Sequence, residues 1–245
     1  MKFIKENLIG KFLKYVNEYD TNDENITRKY YHSIRVMNFS ENIAISERLS
    51  ENDIEIAVVA GLLHDYARFI QWTNYHTYSD IESIDHGNLS SELLFNKNEI
   101  FNFYKNVKNY DELYDAIKYH NKYKVPSKIS AHNRSICYIV RDADKLDIFD
   151  MLVNNNLELK ETEVEISGKV KKSFFNNQTI DYKIIKSSSD DIIFKLAMLF
   201  DLKYKYSINY IIDNNIINKL YEKIKNKKKV EIYFKYMTEY MNSMK

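Results

Sequence analysis

Histidines recur in this sequence at positions that place them on the apolar faces of predicted helices. His32 stands four residues before Val36, and His120 follows Ile117 by three residues, so both imidazoles point the same way as core side chains. Four histidines share this property, and two aspartates adjoin apolar segments in the same way. The six candidate site residues are His32, His64, Asp65, His86, His120 and Asp144.

These residue types together favour a metal site. A single histidine on an apolar face is more often a core residue with a satisfied hydrogen bond. Four imidazoles that converge with carboxylates are costly to bury unless a positive group holds them, because buried polar groups must be paired. A divalent cation accepts neutral imidazole nitrogens and ionised carboxylates as ligands. The neighbouring Asp142, Asp147 and Asp150 are interpreted as members of a solvated helix face.

The hydrophobic pattern predicts helices as the elements that position these residues. Apolar side chains recur at helical spacing in segments 3–19, 28–49, 54–63, 85–96, 100–107, 111–121 and 132–153, and again from residue 190 onward. Segment 71–83 is predicted to be a surface loop. A short β-hairpin is a further expectation near residues 160–185, where Ser167-Gly168 resembles a turn. The sequence thus predicts an all-α bundle with a central metal site. We expect one domain over 1–245, with a core of about 28–150 and a helical extension of about 151–245.

Composition excludes several other classes of protein. The chain of 245 residues has only 4 Gly and 1 Pro, too few for the turns of a β-rich fold. Its single Cys rules out an intramolecular disulfide framework, and its net charge of +1 offers no basic surface for nucleic acid. No apolar run reaches the length of a membrane span, and the first residues lack the apolar region of a signal peptide. We therefore expect a cytoplasmic protein that binds neither nucleic acid nor membranes.

The ordered motifs resemble those of the HD-domain metal-dependent phosphohydrolases. The match rests on His32, on the segment GLLHD ending in His64-Asp65, and on Asp144 within ADKL. Further segments resemble one bacterial branch: RF at 68–69, SIDHG at 83–87, AIKYHN at 116–121 and RDADKLD at 141–147. The resemblance covers about residues 28–150 and implies an all-α fold.

The resemblance also implies a ligand set for the metal. His32, His64, Asp65 and Asp144 match the positions that hold one ion. His86 and His120 match the histidines that hold a second ion in two-metal members of the family, with Asp65 between the two. The implied cofactor is therefore one or two divalent ions, drawn from Mn, Mg, Fe, Ni, Co or Zn.

The implied activity is hydrolysis of a phosphate ester or anhydride by a metal-activated water. The expected substrate is a small phosphorylated compound, a nucleotide or phosphomonoester. Asp65, Arg68 and Lys145 are the candidate catalytic residues, and Arg68, Lys145 and His76 are the candidate substrate-binding residues. For Arg68 and Lys145 an equal alternative is a salt bridge to a ligand carboxylate. For His76, the alternative to a lid over the substrate is a surface loop that packs its own aromatic side chains.

Two other functions remain open on the sequence alone. The first is a di-iron oxygenase, since the same ligand order occurs in HD-type oxygenases that hold two irons. The second is a non-catalytic module that binds a nucleotide as a sensor, without turnover. There is no Gly-Tyr-Pro segment of the kind found in the cyclic-dinucleotide branch, and no Glu-Asp pair soon after His64-Asp65 as in alarmone hydrolases. Residues 155–245 match no motif. They are expected to complete the bundle and to form a wall of the pocket or a contact between copies in a homo-oligomer.

Overall fold

The structure is a computed structural model that describes residues 2–154 and 165–245. Most of these residues are helical, and no strand occurs among them, which confirms the all-α prediction. The α-helices are α1 (Lys2–Val16), α2 (Glu24–Ser46), α3 (Glu51–Leu63), α4 (Arg68–Tyr75), α5 (His86–Ser91), α6 (Tyr110–Tyr119), α7 (Ala131–Asn154), α8 (Gly168–Phe175), α9 (Ser188–Ala197), α10 (Lys205–Asp213), α11 (Ile216–Glu222) and α12 (Glu231–Ser243).

Shorter helical turns connect several of these elements. A π-helical turn over Glu92–Asn96 extends α5. Turns of 3-10 helix cover Glu99–Asn102, Val107–Asn109, Tyr182–Ile184, Met198–Asp201 and Lys227–Lys229. None of the helices in 2–154 and 165–245 is long and apolar enough to cross a membrane.

The chain divides into two compact units, Met1–Asp144 and Lys145–Lys245. The division falls within α7, between Asp144 and Lys145. The prediction of a single domain over 1–245, with its core at about 28–150, stays a prediction. All six candidate site residues belong to the first unit.

The centre of the first unit is α3. Every residue from Ile56 to Leu63 is buried, which is the pattern of a helix surrounded by other elements rather than lying on a surface. The helix begins at Ser50, whose hydroxyl accepts a hydrogen bond from the Asp53 amide at 3.1 Å. It packs along α2, whose buried face includes Val36 and Ile43.

Two glycines allow the close helix approaches that bring the histidines together. A Cβ atom on Gly61 in α3 would lie 2.5 Å from Ser40 Oγ and 3.1 Å from Met37 Cα on α2. A Cβ atom on Gly87 in α5 would lie 2.5 Å from Asn121 Oδ1. A Cβ atom at either position would force the neighbouring residues to shift, since contacts this short do not occur between non-bonded atoms.

The second unit has an aromatic core of its own. Phe174 on α8 lies 5.1 Å from the Phe200 ring and 5.1 Å from the Tyr233 ring, measured between centroids. Asp190 in the first turn of α9 is buried and accepts hydrogen bonds from the Ser167 amide at 2.8 Å and the Lys186 amide at 3.1 Å. These bonds anchor the start of α8 to the start of α9.

Three local predictions differ from the structure. The predicted hairpin is wrong over 165–185, where Gly168 begins α8 and its backbone lacks the positive φ of a primed hairpin turn; the rest of that segment lies outside the described residues. The predicted loop 71–83 begins as helix, because α4 continues to Tyr75 and buries Phe69 and Gln71. The predicted helix 100–107 is only a 3-10 turn at its start.

Candidate metal centre

One group of site residues comes from three helices. His32 lies on α2, His64 ends α3, and Asp144 lies on α7. His32 Nε2 is 3.3 Å from His64 Nε2 and 3.3 Å from Asp144 Oδ1, and His64 Nε2 is 3.7 Å from the same carboxylate oxygen. The three ligand atoms therefore surround one point, and their mutual separations suit a metal ion.

A second group overlaps the first, because His64, Asp65 and His120 also bring ligand atoms close enough together to hold a metal ion. His86 is the first residue of α5, and His120 follows the last residue of α6. Their Nε2 atoms are 2.9 Å apart. Asp65 Oδ1 lies 3.3 Å from His86 Nε2 and 3.6 Å from His120 Nε2.

Asp65 lies between the two groups and faces each with a different oxygen. Its Oδ2 is 3.4 Å from His32 Nε2 and 3.5 Å from His64 Nε2, whereas its Oδ1 faces the other two imidazoles. The carboxylate is buried in the turn that follows α3. This is the arrangement of a carboxylate that can bridge two cations.

Positive charge around Asp65 keeps it ionised. Burial by itself raises the pKa of this carboxyl, but the Lys29 ammonium and the nearby imidazoles outweigh burial and hold the pKa well below its usual value. Lys29 Nζ is 2.7 Å from Asp65 Oδ2. Asp144 behaves in the same way: burial opposes ionisation, and the contacts with His32 and His64 hold its pKa well below the usual value. Both carboxylates are therefore available as anionic ligands at neutral pH.

Helix ends fix the orientation of two imidazoles. His64 Nδ1 donates to the Gly61 carbonyl at 2.8 Å, and His120 Nδ1 donates to the Ile117 carbonyl at 2.7 Å. Each acceptor is a carbonyl three residues earlier, in the last turn of a helix, where carbonyls have no amide partner within the helix. With the proton on Nδ1, Nε2 carries the lone pair that a metal needs.

The donor set fits a divalent cation. Burial lowers the pKa of His120 to about 4, although the contact with Asp65 acts in the opposite direction, so this imidazole is neutral at pH 7. The Nε2 atoms of His86 and His120 lie 2.9 Å apart, close enough for one cation to accept both as ligands. Four imidazole nitrogens with two carboxylates form a ligand set suited to Mn, Fe, Ni, Co or Zn.

Comparison with known proteins identifies the family. The family model of the HD domain matches residues 30–161, which is more than half of the chain. The chain belongs to the HD domain family. No curated protein and no solved structure matches it. HD domains bind divalent metals and are generally metal-dependent hydrolases, in agreement with the chemistry of the six side chains.

Arg68 of this HD domain lies against the Asp65 carboxylate. Its Nε is 3.4 Å from Asp65 Oδ1, and its Nη1 contacts Asp80 Oδ1 at 3.1 Å, Gln71 Oε1 at 2.6 Å and the Tyr78 carbonyl at 2.6 Å. The buried Nε makes no hydrogen bond within the described part of the chain. Arg68 therefore combines the salt bridge to a ligand carboxylate with a donor that is still unsatisfied.

The other two predicted substrate-binding residues have partners of their own. Lys145 belongs to the second unit and forms an ion pair with Asp201 at 2.8 Å. His76 is exposed, ends α4 in the left-handed conformation and packs its ring against Trp72 at 6.0 Å between centroids. Their roles toward a substrate stay predictions.

The interpretation of the α7 acids as a solvated face is wrong for two of the three. Asp142 and Asp147 are both fully buried, and Asp150 accepts a hydrogen bond from the Tyr210 hydroxyl at 2.6 Å. The buried surface of α7 is wider than its apolar stripe, so it includes these two charged residues beside the stripe.

Sequence reasoning missed two residues that contact the centre. Lys29 stands three residues before His32, one turn earlier on the same face of α2, so helical spacing could have identified it. Asp80 lies six residues before His86 in the segment between α4 and α5, and both its oxygens are 2.7 Å from His86 Nδ1. No periodicity relates a loop residue to the side chain that it contacts, so Asp80 had no such signal.

Proposed function

We propose that this HD domain is a phosphohydrolase that cleaves a phosphate ester or anhydride of a small molecule, a nucleotide or phosphomonoester. The observation that carries the proposal is the position of Asp65, whose Oδ2 faces His32 and His64 and whose Oδ1 faces His86 and His120. Two positive centres on either side of one carboxylate suit a substrate whose reacting group is a phosphate, because charge develops on the phosphoryl oxygens during the reaction.

The chain's own residues divide into two sets of ligands. His32, His64 and Asp144 would hold one ion together with Asp65 Oδ2, and His86 and His120 would hold the other together with Asp65 Oδ1. Bound divalent ions would supply a water of lowered pKa as the nucleophile and neutralise charge on the phosphoryl group. The burial of Asp65, His64 and His120 keeps bulk water away from the ligands and strengthens every charge interaction there.

Cations of the chain complete the site around the phosphate. The unsatisfied Nε–H of Arg68 lies beside Asp65 and would donate to a phosphoryl oxygen, since a buried donor without an acceptor is costly. Lys29 is the second cation at this carboxylate. We also keep Lys145 as a point charge and His76 as a lid residue among the proposed substrate contacts.

The test is phosphate release by the purified protein in the presence of Mn²⁺. The panel contains nucleoside mono-, di- and triphosphates and several phosphomonoesters, and wild type is compared with Asp65→Ala and with Asp111→Asn. Asp111 is exposed at the start of α6 and serves as the matched carboxylate control. We expect release by wild type and by the control, and a loss of about 100-fold or more in Asp65→Ala, which corresponds to about 2.7 kcal/mol.

The opposite result would redirect the assignment. If neither wild type nor the control releases phosphate while metal is bound, the phosphohydrolase proposal is wrong. Iron-dependent visible absorbance with oxygen uptake would then support the di-iron oxygenase. Tight binding of a nucleotide without any product would support the sensing module.

A further inference from the structure

Three of the four histidines differ in what holds their second ring nitrogen. His64 and His120 stand at the C-terminal ends of helices and donate from Nδ1 to carbonyls of their own chain segment. His86 stands at the opposite end, as the first residue of α5. A helix N-terminus presents N–H groups and no unpaired carbonyls, so the backbone of α5 offers His86 no acceptor. A side chain from elsewhere must supply one.

Asp80 is that side chain. Both of its oxygens lie 2.7 Å from His86 Nδ1, and a carboxylate at this distance accepts the Nδ1 proton and leaves the Nε2 lone pair facing His120.

Asp80 is itself held from several directions. Arg68 Nη1 donates to its Oδ1 at 3.1 Å, Gln71 Nε2 donates to the same oxygen at 3.1 Å, and Asn121 Nδ2 donates to its Oδ2 at 3.0 Å. Gln71 also donates to Ser83 Oγ at 2.8 Å, which ties the segment between α4 and α5 to α4. These contacts fix the orientation of the Asp80 carboxylate independently of His86.

We propose that Asp80 is a positioning residue for the second ion alone. By fixing the tautomer and the orientation of His86, it would make occupancy of the position between His86 and His120 depend on a residue that contacts no ion. The ion held by His32, His64, Asp144 and Asp65 would not depend on it directly. Within the described residues Asp80 is hydrogen-bonded to none of these four, and its link to Asp65 runs through Arg68. The inference rests on the ion binding invoked in the proposed function.

The experiment measures Mn²⁺ binding to the whole chain by equilibrium dialysis, with the bound metal quantified by mass spectrometry. We expect two ions per wild-type chain. In Asp80→Ala the second ion should bind about 10- to 100-fold more weakly, while the affinity for the first changes less than about twofold. Asp80→Asn should lie between the two, because its amide oxygen still accepts from Nδ1 but carries no charge.

The matched control is Asp85→Asn. Asp85 lies in the same segment, also accepts from Asn121, and caps α5 through the Asn88 amide at 3.0 Å. Asparagine is an equally good N-cap residue, so α5 keeps its start. This control should bind two Mn²⁺ ions with unchanged affinity.

A spectroscopic measurement separates positioning from a general structural effect. The ¹⁵N shifts of the His86 ring in metal-free protein report which nitrogen is protonated. Wild type should show the proton on Nδ1, and Asp80→Ala should show a mixture of tautomers, with the His64 and His120 signals unchanged. Asp80→Asn, in which an acceptor remains, should keep the proton on Nδ1; if Asp80→Ala fails to fold, the weaker binding of the second ion by Asp80→Asn tests the inference.

Three outcomes overturn the inference. These are equal affinity for the second ion in wild type and the Asp80 variants, loss of both ions together, and fewer than two ions in wild type. Two ions in wild type, selective loss in the Asp80 variants and no phosphate release from any substrate would refute the proposed function and leave the inference standing.

Discussion

His86 and His120 bring their Nε2 atoms to within 2.9 Å of each other although they lie on different helices. Each ring is fixed from its other nitrogen, His86 by Asp80 and His120 by the Ile117 carbonyl. Folding therefore holds two ligand atoms at one position. A cation that binds both would bind the folded chain and not the unfolded one, so metal binding should contribute to the stability of the fold.

The first prediction concerns this contribution. Addition of Mn²⁺ to chelator-treated protein should raise the free energy of unfolding, by about 2.7 kcal/mol when the free ion is at 100 times its dissociation constant. Mn²⁺ should raise the free energy of unfolding of His120→Ala by a smaller amount, because this variant lacks one of the two histidine ligands of the second ion. Thermal unfolding with and without chelator measures both values. Equal melting temperatures for wild type in chelator and in Mn²⁺ would contradict the prediction.

The second prediction concerns Lys29. In metal-free protein its ammonium is a partner of the buried Asp65 carboxylate at 2.7 Å, so Lys29→Met should destabilise the fold by about 1–3 kcal/mol, less than for a fully buried pair because Lys29 is partly exposed. Mn²⁺ should reduce this loss, since the ions supply positive charge to the same carboxylate. Denaturant unfolding in chelator and in Mn²⁺ measures the difference.

Lys5→Met is the control for this experiment. Lys5 pairs with Glu41 near the surface, so its substitution should cost less than about 1 kcal/mol, with the same value in chelator and in Mn²⁺. A Lys29→Met loss that is also independent of Mn²⁺ would show that Lys29 does not act through the metal centre.

The third prediction tests the close packing of α3 on α2. Gly61→Ala should destabilise the fold by about 1–3 kcal/mol, because its Cβ would approach Ser40 Oγ to 2.5 Å and Met37 Cα to 3.1 Å. Gly10→Ala on α1 meets no described atom within 4 Å and should stabilise the fold by up to about 1 kcal/mol through helix propensity. Urea unfolding measures the change in the free energy of unfolding for both variants. A Gly61→Ala variant that is more stable than wild type would contradict the prediction.

The fourth prediction concerns Cys137, the single thiol of the chain. Burial raises its pKa to about 12, so the native protein should not react with a thiol reagent at pH 8 and should react once when unfolded in urea. The unfolded thiol ionises from about pH 9, so unfolding becomes easier as pH rises from 9 toward 12. The unfolding free energy of wild type should fall by up to about 1.4 kcal/mol per pH unit more than that of Cys137→Ala. Rapid labelling of native protein would contradict the prediction.

The ligands could be predicted from the sequence because they obey helical spacing. His32 lies on the buried face of α2, and His64 and His120 terminate helices whose apolar residues precede them. Periodicity therefore indicates that these side chains point inward. It does not indicate that they meet, and for that step the resemblance of the ordered motifs was needed.

Residues outside regular elements could not be predicted in this way. Asp80 reaches His86 from a segment that follows no repeat, and its role depends on hydrogen bonds to side chains distant in sequence, such as Asn121. The predicted hairpin failed for a related reason: a short alternation with Ser167-Gly168 is compatible with either a turn or a helix start. The buried Asp190 accepts a hydrogen bond from the Ser167 amide and so stabilises the start of helix α8.

The central claim is that Asp65 serves two ion positions, and anomalous diffraction from crystals grown with Mn²⁺ tests it most directly. The account predicts two anomalous peaks on opposite sides of the Asp65 carboxylate, one among His32, His64 and Asp144 and one between His86 and His120. A single peak, or no peak at these histidines under saturating Mn²⁺, would contradict it.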